Sequence, residues 1–146
     1  MEKLKENKLP KIYIADNTED NNLIDYFKQS ENFDFAGASC DGAKAVEEIL
    51  SIQPEVLVME VMLQNLDGFA VLEKIKSLKD KMPKVFFVSK LSHSGFVTKA
   101  LQSGASYFMV KPISPENLET RIFEVFEIIK INPKISNLTK EFRIYL

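Results

Sequence analysis

The chain has one cysteine, Cys40, among its 146 residues. A single cysteine cannot form a disulfide within the chain, and it cannot supply a thiolate cluster for a metal. The start of the sequence, MEKLKENKLPK, is charged and lacks the apolar core of a secretory signal. These features predict a reduced, cytoplasmic location.

The sequence also lacks an excess of positive charge and any long uninterrupted apolar run. Its 19 lysine and arginine residues and 21 aspartate and glutamate residues give a formal net charge of −2, so there is no basic field to attract nucleic acid. The most hydrophobic late stretch, residues 122–131, is interrupted by Glu124, Glu127 and Lys130, which excludes a transmembrane helix. We therefore expect neither a nucleic-acid partner nor a membrane partner.

What the chain does contain is the composition of one ordinary globular domain. Hydrophobic residues make up 45% and charged residues 27% of the sequence, which is too apolar for a disordered chain. The length suits one domain. We expect an N-terminal extension over residues 1–10, the folded domain over residues 11–131, and a C-terminal tail over residues 132–146 with no effector domain.

Five short apolar runs predict strands, because continuous runs rich in β-branched and aromatic residues are typical of strands buried on both faces. The runs are Lys11–Ala15, Phe33–Ser39, Val56–Glu60, Val85–Ser89 and Tyr107–Val110. The second run carries Asp34 and small residues, so we place it at a sheet edge. A helical pattern of apolar residues follows each run. Five strands alternating with five helices predict an α/β fold with a parallel sheet and helices on both of its faces.

Polar residues end or directly follow four of these runs. In an open α/β sheet, ligands bind beyond the carboxyl ends of the strands. This rule selects a group of candidate site residues: Asp16, Asn17, Glu60, Ser89, Lys90 and Lys111.

The same segments resemble a known family. The sequences KIYIADNTED, PEVLVMEVMLQNLDGFAVLE, VFFVSK and GASYFMVKPISPENL are similar to the receiver domain of bacterial response regulators. The closest likeness is to the receiver of the master sporulation transcription factor of endospore-forming bacteria, and it covers residues 11 to about 129. The resemblance implies a flavodoxin-like, doubly wound sheet of order 2-1-3-4-5 with five helices.

The resemblance also implies a chemistry. In that family an acidic pair after the first strand helps hold Mg²⁺, and an aspartate at the end of the third strand takes a phosphoryl group from a histidine kinase. A hydroxyl side chain and a lysine then bind the phosphoryl oxygens. By position, Asp16 matches the first acid, Ser89 the hydroxyl and Lys111 the lysine. Phe108 matches the aromatic residue whose rotation reports phosphorylation, and we expect its ring to point inward.

Four positions depart from the family pattern. Glu60 stands where the family has the phosphoacceptor aspartate, and its extra methylene moves the carboxylate by about 1.5 Å. A displacement near 1 Å can cost about a hundredfold in a positioned reaction. Asn17 replaces the second acid and removes a charge from a site for a hard cation. Lys90 replaces a small residue, where it would either block the phosphodonor or pair with Glu60. Gln64 replaces a proline, which predicts a looser loop after Glu60.

These departures change the charge of the pocket. Asp16 and Glu60 oppose Lys111 and Lys90, so the four side chains sum to zero without metal. We therefore predict a degenerate pocket with no catalytic residue and no cofactor, in which Mg²⁺ binding at Asp16 is weak or lost.

Two alternatives stay open for this pocket. Glu19 or Asp20 would restore weak metal binding if either side chain reached the site. Glu60 would either act as a salt-bridged plug or mimic a phosphorylated aspartate. Elsewhere, we interpret His93, the one histidine, as an ordinary surface residue, and Asp67-Gly68 as the start of the third helix.

Phe123 is the candidate contact residue of the last helix. It lies well over 100° around the helical wheel from the apolar stripe of that helix, and an aromatic residue with a charged rim is a frequent binding anchor. Glu119, Glu124 and Glu127 supply such a rim. We expect the partner surface on the fourth helix, fifth strand and fifth helix, a face that receivers commonly use to pair. The alternative is that Phe123 packs under the C-terminal tail, which ends in EFRIYL.

The sequence therefore favours a stand-alone pseudo-receiver that is not an enzyme and works without phosphorylation. It would regulate two-component or sporulation signalling by binding a receiver-containing transcription factor or a histidine kinase, with a homodimer as a further assembly. The main alternative is a working phosphorelay receiver that accepts a phosphoryl group from a histidine kinase or phosphotransfer protein. An FMN-binding flavodoxin is disfavoured, because DNTEDN lacks a glycine- and hydroxyl-rich phosphate loop.

Overall fold

The computed structural model describes residues 8–16, 22–91 and 93–131. It contains a parallel sheet of five strands in the order β2-β1-β3-β4-β5, which confirms the predicted fold class. The strands are β1 (Lys11–Ala15), β2 (Asp34–Ser39), β3 (Val56–Met59), β4 (Lys84–Ser89) and β5 (Tyr107–Val110). The helices are α1 (Asn22–Gln29), α2 (Gly42–Ile52), α3 (Gly68–Lys74), a 3₁₀ segment (Ile75–Lys81), α4 (Ser94–Gln102) and α5 (Pro115–Ile131).

Alternation of side chains along the strands builds one core on each face of the sheet. Tyr13 and Phe87 point to the face covered by α2, α3 and α4. Ile14 and Phe86 point to the opposite face, which α1 and α5 cover. The three inner strands are buried on both faces, and this explains why their sequences are continuous apolar runs rather than alternating ones.

Strand β2 lies at an edge of the sheet, as its small and polar residues predict. Its pairing with β1 shifts register between Ile12 and Tyr13. A Cβ atom on Gly37 would lie 3.2 Å from the Tyr13 ring, so the glycine leaves room for that ring against the edge strand.

The backbone ladder continues past the strand ends and fixes the residues that follow them. The amide of Asp16 donates to the carbonyl of Ser39 at 3.1 Å, and the amide of Glu60 donates to the carbonyl of Ala15 at 2.8 Å. The amide of Lys111 donates to the carbonyl of Ser89 at 2.9 Å. Since all strands run the same way, these anchors bring the candidate residues to one edge of the sheet. Within the described ranges, no helix is both long and apolar enough to cross a membrane.

His93 has a structural role that the sequence interpretation missed. Its Nδ1 atom accepts the amide of Gly95 at 3.1 Å, so the exposed imidazole caps α4, which begins at Ser94. The ring also contacts the edge of Phe96 at a centroid distance of 6.0 Å. A helix begins here because the side chain satisfies an amide that has no partner inside the helix.

Replacing His93 by alanine should therefore lower the free energy of unfolding by about 1 kcal/mol, the usual cost of losing an N-cap. His93→Asn should retain most of this stability, since asparagine is among the best N-cap residues. Urea denaturation of both variants at neutral pH measures the difference. Equal stability of the alanine and wild-type proteins would contradict a capping role.

Candidate functional site

Lys111 joins the two acidic side chains at the carboxyl edge of the sheet. Its Nζ atom donates to both carboxylate oxygens of Asp16 at 2.9 Å and to Oε1 of Glu60 at 3.1 Å. Asp16 and Glu60 are buried and Lys111 is largely buried, with exposed side-chain fractions of 2%, 7% and 9% in that order. The one positive charge of Lys111 is therefore shared between two negative charges, on side chains that follow the neighbouring strands β1 and β3.

The second oxygen of Glu60 is bound by the backbone. Its Oε2 atom accepts the amide of Val61 at 2.6 Å and the amide of Met62 at 3.3 Å. Both carboxylate oxygens of Glu60 are thus engaged, one by an ammonium and one by peptide N–H groups. Charge-assisted bonds of this kind are about twice as strong as neutral ones.

Ser89 and Lys90 do not extend this ion network. Ser89 is buried, and its hydroxyl oxygen accepts the amide of Leu91 at 3.2 Å, so it stabilises the turn after β4. Lys90 is exposed, and Glu60 pairs with Lys111. The three groups in contact, Asp16, Glu60 and Lys111, carry a formal sum of −1. The predicted zero charge required Lys90 inside the pocket and is wrong for this arrangement.

The acidic side chains of the described part of the pocket are bound to a lysine. Asp16 and Glu60 direct carboxylate oxygens at the Lys111 ammonium, so a divalent cation would have to displace that group. Among residues 8–16, 22–91 and 93–131 there is no cluster of three aspartate, glutamate, histidine or cysteine side chains with metal-binding geometry. Asn17, Glu19 and Asp20 lie outside the described residues.

The loop after Glu60 differs from the sequence prediction. The amide of Gln64 donates to the carbonyl of Cys40 at 3.0 Å, and the carbonyl of Gln64 accepts the amide of Gly42 at 2.8 Å. The prediction of a looser loop was wrong, because glutamine supplies a backbone N–H that proline lacks. Replacing proline by glutamine adds a hydrogen bond at this point.

Asp67 and Gly68 have the structural role that the sequence predicts. The Asp67 carboxylate accepts the amide of Ala70 at 2.8 Å and caps α3. A Cβ atom on Gly68 would lie 2.5 Å from the carbonyl oxygen of Glu60. A side chain at this position would therefore push the helix away from the pocket loop.

Phe108 lies inward, as expected. Its ring is only 3% exposed and stacks on Phe87 at a centroid distance of 6.1 Å. The aromatic position beside the pocket is part of the core in this conformation.

The four contact candidates of α5 do not share one face. Phe123 is 41% exposed and stacks on Phe33 at 5.4 Å, and Phe33 packs on Phe27 of α1 at 5.2 Å. Phe123 therefore lies on the α1 side of α5. Glu119 is on the same side: burial, followed by the Glu119 carboxylate, raises the pKa of Tyr26 in α1.

Glu124 lies on the other side of α5, toward the edge strand β5. It accepts the hydroxyl of Tyr107 at 3.3 Å and pairs with Arg121 at 3.0 Å. Glu127 is exposed. The expectation that Phe123 marks the surface of α4, β5 and α5 is thus corrected, because the core stripe of α5 separates Phe123 from β5. The EFRIYL tail lies outside the described residues.

Two exposed apolar residues near the strand ends were missed from the sequence. Met62 is 55% exposed and Val110 is 48% exposed. Val110 ends the otherwise buried strand β5. Sequence alone gave no signal for Met62, because it occurs among apolar residues that resemble a continuation of β3.

Solved structures share the fold of this chain. The response regulator receiver domain protein (CheY-like) from Methanospirillum hungatei is 23% identical, with a TM-score of 0.72 over 84% of this chain and 98% of that chain. A DNA-binding response regulator of the LuxR family from Staphylococcus aureus is 22% identical, with a TM-score of 0.73 over 80% and 98%. The CheX–CheY–BeF₃–Mg²⁺ complex from Borrelia burgdorferi contains a chain with 23% identity and a TM-score of 0.72 over 84% and 93%.

A family model agrees with the fold. The model of the response regulator receiver domain matches residues 12–123, most of the chain. The matched range contains Asp16, Glu60 and Lys111 and, apart from Lys11, all five strands. The chain therefore belongs to the response regulator receiver domain family, a family of modules of two-component signalling.

Proposed function

We propose that this receiver is a pseudo-receiver, a binding module that works without phosphorylation and is not an enzyme. The observation that carries the proposal is the engagement of Glu60, whose carboxylate is bound by Lys111 on one oxygen and by two backbone amides on the other. A carboxylate must offer a free oxygen to attack a phosphoryl group. Here attack through Oε1 would have to displace the Lys111 ammonium, and attack through Oε2 would have to displace the Val61 and Met62 amides.

The charge of the pocket supports the same proposal. A phosphodonor is an anion, and without a bound cation it would approach three side chains, Asp16, Glu60 and Lys111, whose formal sum is −1. In a buried setting this repulsion is screened less than in water. In the family the lysine at this position binds the phosphoryl oxygens. Lys111 is already bound by the carboxylates of Asp16 and Glu60, so an incoming phosphoryl group would have to compete with them for the ammonium.

Between the two roles left open for Glu60, the contacts favour a salt-bridged plug. A mimic of a phosphorylated aspartate would accept the hydroxyl at the Ser89 position, whereas the partners of the Glu60 carboxylate among the described residues are Lys111 and the Val61 and Met62 amides. The inward ring of Phe108 is the observation that favours the mimic. Glu60→Gln separates the two roles: it preserves partner binding if Glu60 is a plug and abolishes it if Glu60 is a mimic.

We propose that function passes through a protein partner, either a receiver-containing transcription factor or a histidine kinase in the cytoplasm. One relative of known structure, the CheY of the Borrelia complex, was solved with the protein CheX, so binding a second protein is compatible with this fold. The motif resemblance makes sporulation signalling the first pathway to examine. The alternative remains a working phosphorelay receiver.

The protein should not form a phosphoryl adduct with a small-molecule donor. After incubation with acetyl phosphate and Mg²⁺, intact-mass measurement should find the unmodified mass. The matched control carries Asn17→Asp and Glu60→Asp, which restores the family residues and should gain adduct. A stoichiometric adduct on the wild-type protein would establish the phosphorelay alternative instead.

Lys111→Met should lower the free energy of unfolding by about 3–5 kcal/mol, because it leaves two buried carboxylates without their shared cation. Lys76→Met is the matched control. Lys76 pairs with Glu73 on the surface at 2.9 Å, and an exposed pair of this kind contributes about 0–1 kcal/mol. Urea denaturation at neutral pH measures both variants. Similar costs for the two lysines would contradict a buried network.

A pair of substitutions on opposite sides of α5 should locate the partner surface. We expect Phe123→Ala to weaken partner binding or self-association, while Glu124→Ala has a smaller effect and both proteins stay folded. Sedimentation measures self-association, and pull-down from the native cell measures partner binding. Loss of binding only with Glu124→Ala would move the surface to the β5 side of α5.

A further inference from the structure

The loop after Glu60 is tied to the turn between β2 and α2 by a short parallel backbone bridge. The Gln64 amide donates to the Cys40 carbonyl at 3.0 Å, and the Gly42 amide donates to the Gln64 carbonyl at 2.8 Å. We call these two bonds the loop clamp. They connect chain segments that are more than twenty residues apart, so they are not part of the local turn.

Two side chains, one from each of the connected segments, add a further hydrogen bond beside the loop clamp. The Asn65 amide group donates to Oδ2 of Asp41 at 2.7 Å. The other carboxylate oxygen of Asp41 caps α2 by accepting the amides of Ala43 at 2.8 Å and Lys44 at 3.2 Å. The backbone hydrogen bond from Lys44, together with the side-chain hydrogen bond from Asn65, holds the pKa of Asp41 below its usual value. Asp41 therefore links the helix cap to the loop as a carboxylate.

The surrounding backbone leaves little freedom for another arrangement. A Cβ atom on Gly42 would lie 2.1 Å from the carbonyl oxygen of Leu66, so only glycine permits this close approach. Asn65 has a φ of 68°, a left-handed conformation that asparagine tolerates better than most residues. The Gly68 amide closes the loop by donating to the Val61 carbonyl at 2.7 Å.

We propose that the loop clamp is a built-in latch that keeps the pocket in one conformation by holding the Val61 and Met62 amides on the Glu60 carboxylate. This inference rests on the proposed function. It identifies the contacts that fix the conformation of the pocket in a receiver that works without phosphorylation. Gln64 acts as a positioning residue through its backbone N–H alone, and its side chain is exposed. The latch in turn keeps Oε1 of Glu60 directed at Lys111, which closes the pocket.

The decisive comparison is Gln64→Pro against Gln64→Ala in the full-length chain. Both substitutions remove the glutamine side chain, but only proline removes the N–H that binds Cys40. Native-state hydrogen exchange should show at least about tenfold lower protection of the Val61 and Met62 amides in Gln64→Pro. Gln64→Ala should match the wild-type protein. Equal protection in the two variants would overturn the latch.

A second readout reports on the pocket rather than on the loop. Lys111 is buried and Lys90 is exposed, so mild reductive methylation followed by peptide mass measurement should label Lys90 and spare Lys111. Gln64→Pro should increase the labelling of Lys111 relative to Lys90 several-fold, because Glu60 no longer holds it. An unchanged ratio in a protein that has lost loop protection would show that the clamp does not act on the pocket, which would overturn the proposal.

If Gln64→Pro does not fold, Asn65→Gly replaces it, because glycine removes the side-chain bond to Asp41 and keeps the left-handed backbone at this position without strain. It should lower loop protection and increase Lys111 labelling to a smaller extent, and no change in either would overturn the latch. A phosphoryl adduct on the wild-type protein, in contrast, tests the proposed function and leaves the exchange result unaffected. The two ideas can therefore fail separately.

Discussion

The buried contact between the Lys111 ammonium and the carboxylates of Asp16 and Glu60 constrains the rest of this structure. Removing three charged groups from water costs several kcal/mol each, and their attraction repays this only with good geometry and additional hydrogen bonds. The fold supplies that geometry by ending β1, β3 and β5 at one edge of the sheet. It supplies the additional bonds through the backbone amides of Val61 and Met62. The network therefore selects one arrangement of the loops more than it adds net stability.

The same network explains why the pocket residues cannot be interpreted one at a time. A glutamate at the Glu60 position reaches farther than an aspartate, and its two oxygens arrive where a lysine and two peptide groups already point. Gln64 then contributes an N–H that proline would lack, and the loop is clamped instead of loosened. Two departures from the family pattern, Glu60 and Gln64, are therefore connected, because the loop between them supplies both the amides that bind Glu60 and the N–H that binds Cys40.

The sequence predicted the parts of the molecule that depend on composition and on the spacing of apolar residues. The inner strands β1, β3 and β4 were visible as apolar runs because both of their faces are buried. The pocket residues were visible because parallel strands end at one edge of a sheet. The contacts that could not be predicted involve backbone groups, which almost any residue type can supply. The bond from Gln64 to Cys40 joins backbone groups across twenty-four positions, and His93 caps α4 with a ring nitrogen rather than with the usual hydroxyl or carboxylate.

Phe123 shows the limit of a helical wheel. The wheel placed it away from the core stripe, and its exposed fraction of 41% agrees with that position. A helical wheel gives the angle between a residue and the apolar stripe of its helix, but it does not show which element packs on each side of that stripe. It therefore could not distinguish the side of α5 that faces α1 from the side that faces β5. The stacked ring of Phe33 decides this, because Phe33 follows α1 and packs against Phe27. A partner that contacts Phe123 would therefore meet α1 and the start of β2, at the sheet edge opposite to β5. Phe33 directly precedes β2, whereas the pocket lies where the strands end, so the pocket and this aromatic contact are separate regions of the domain.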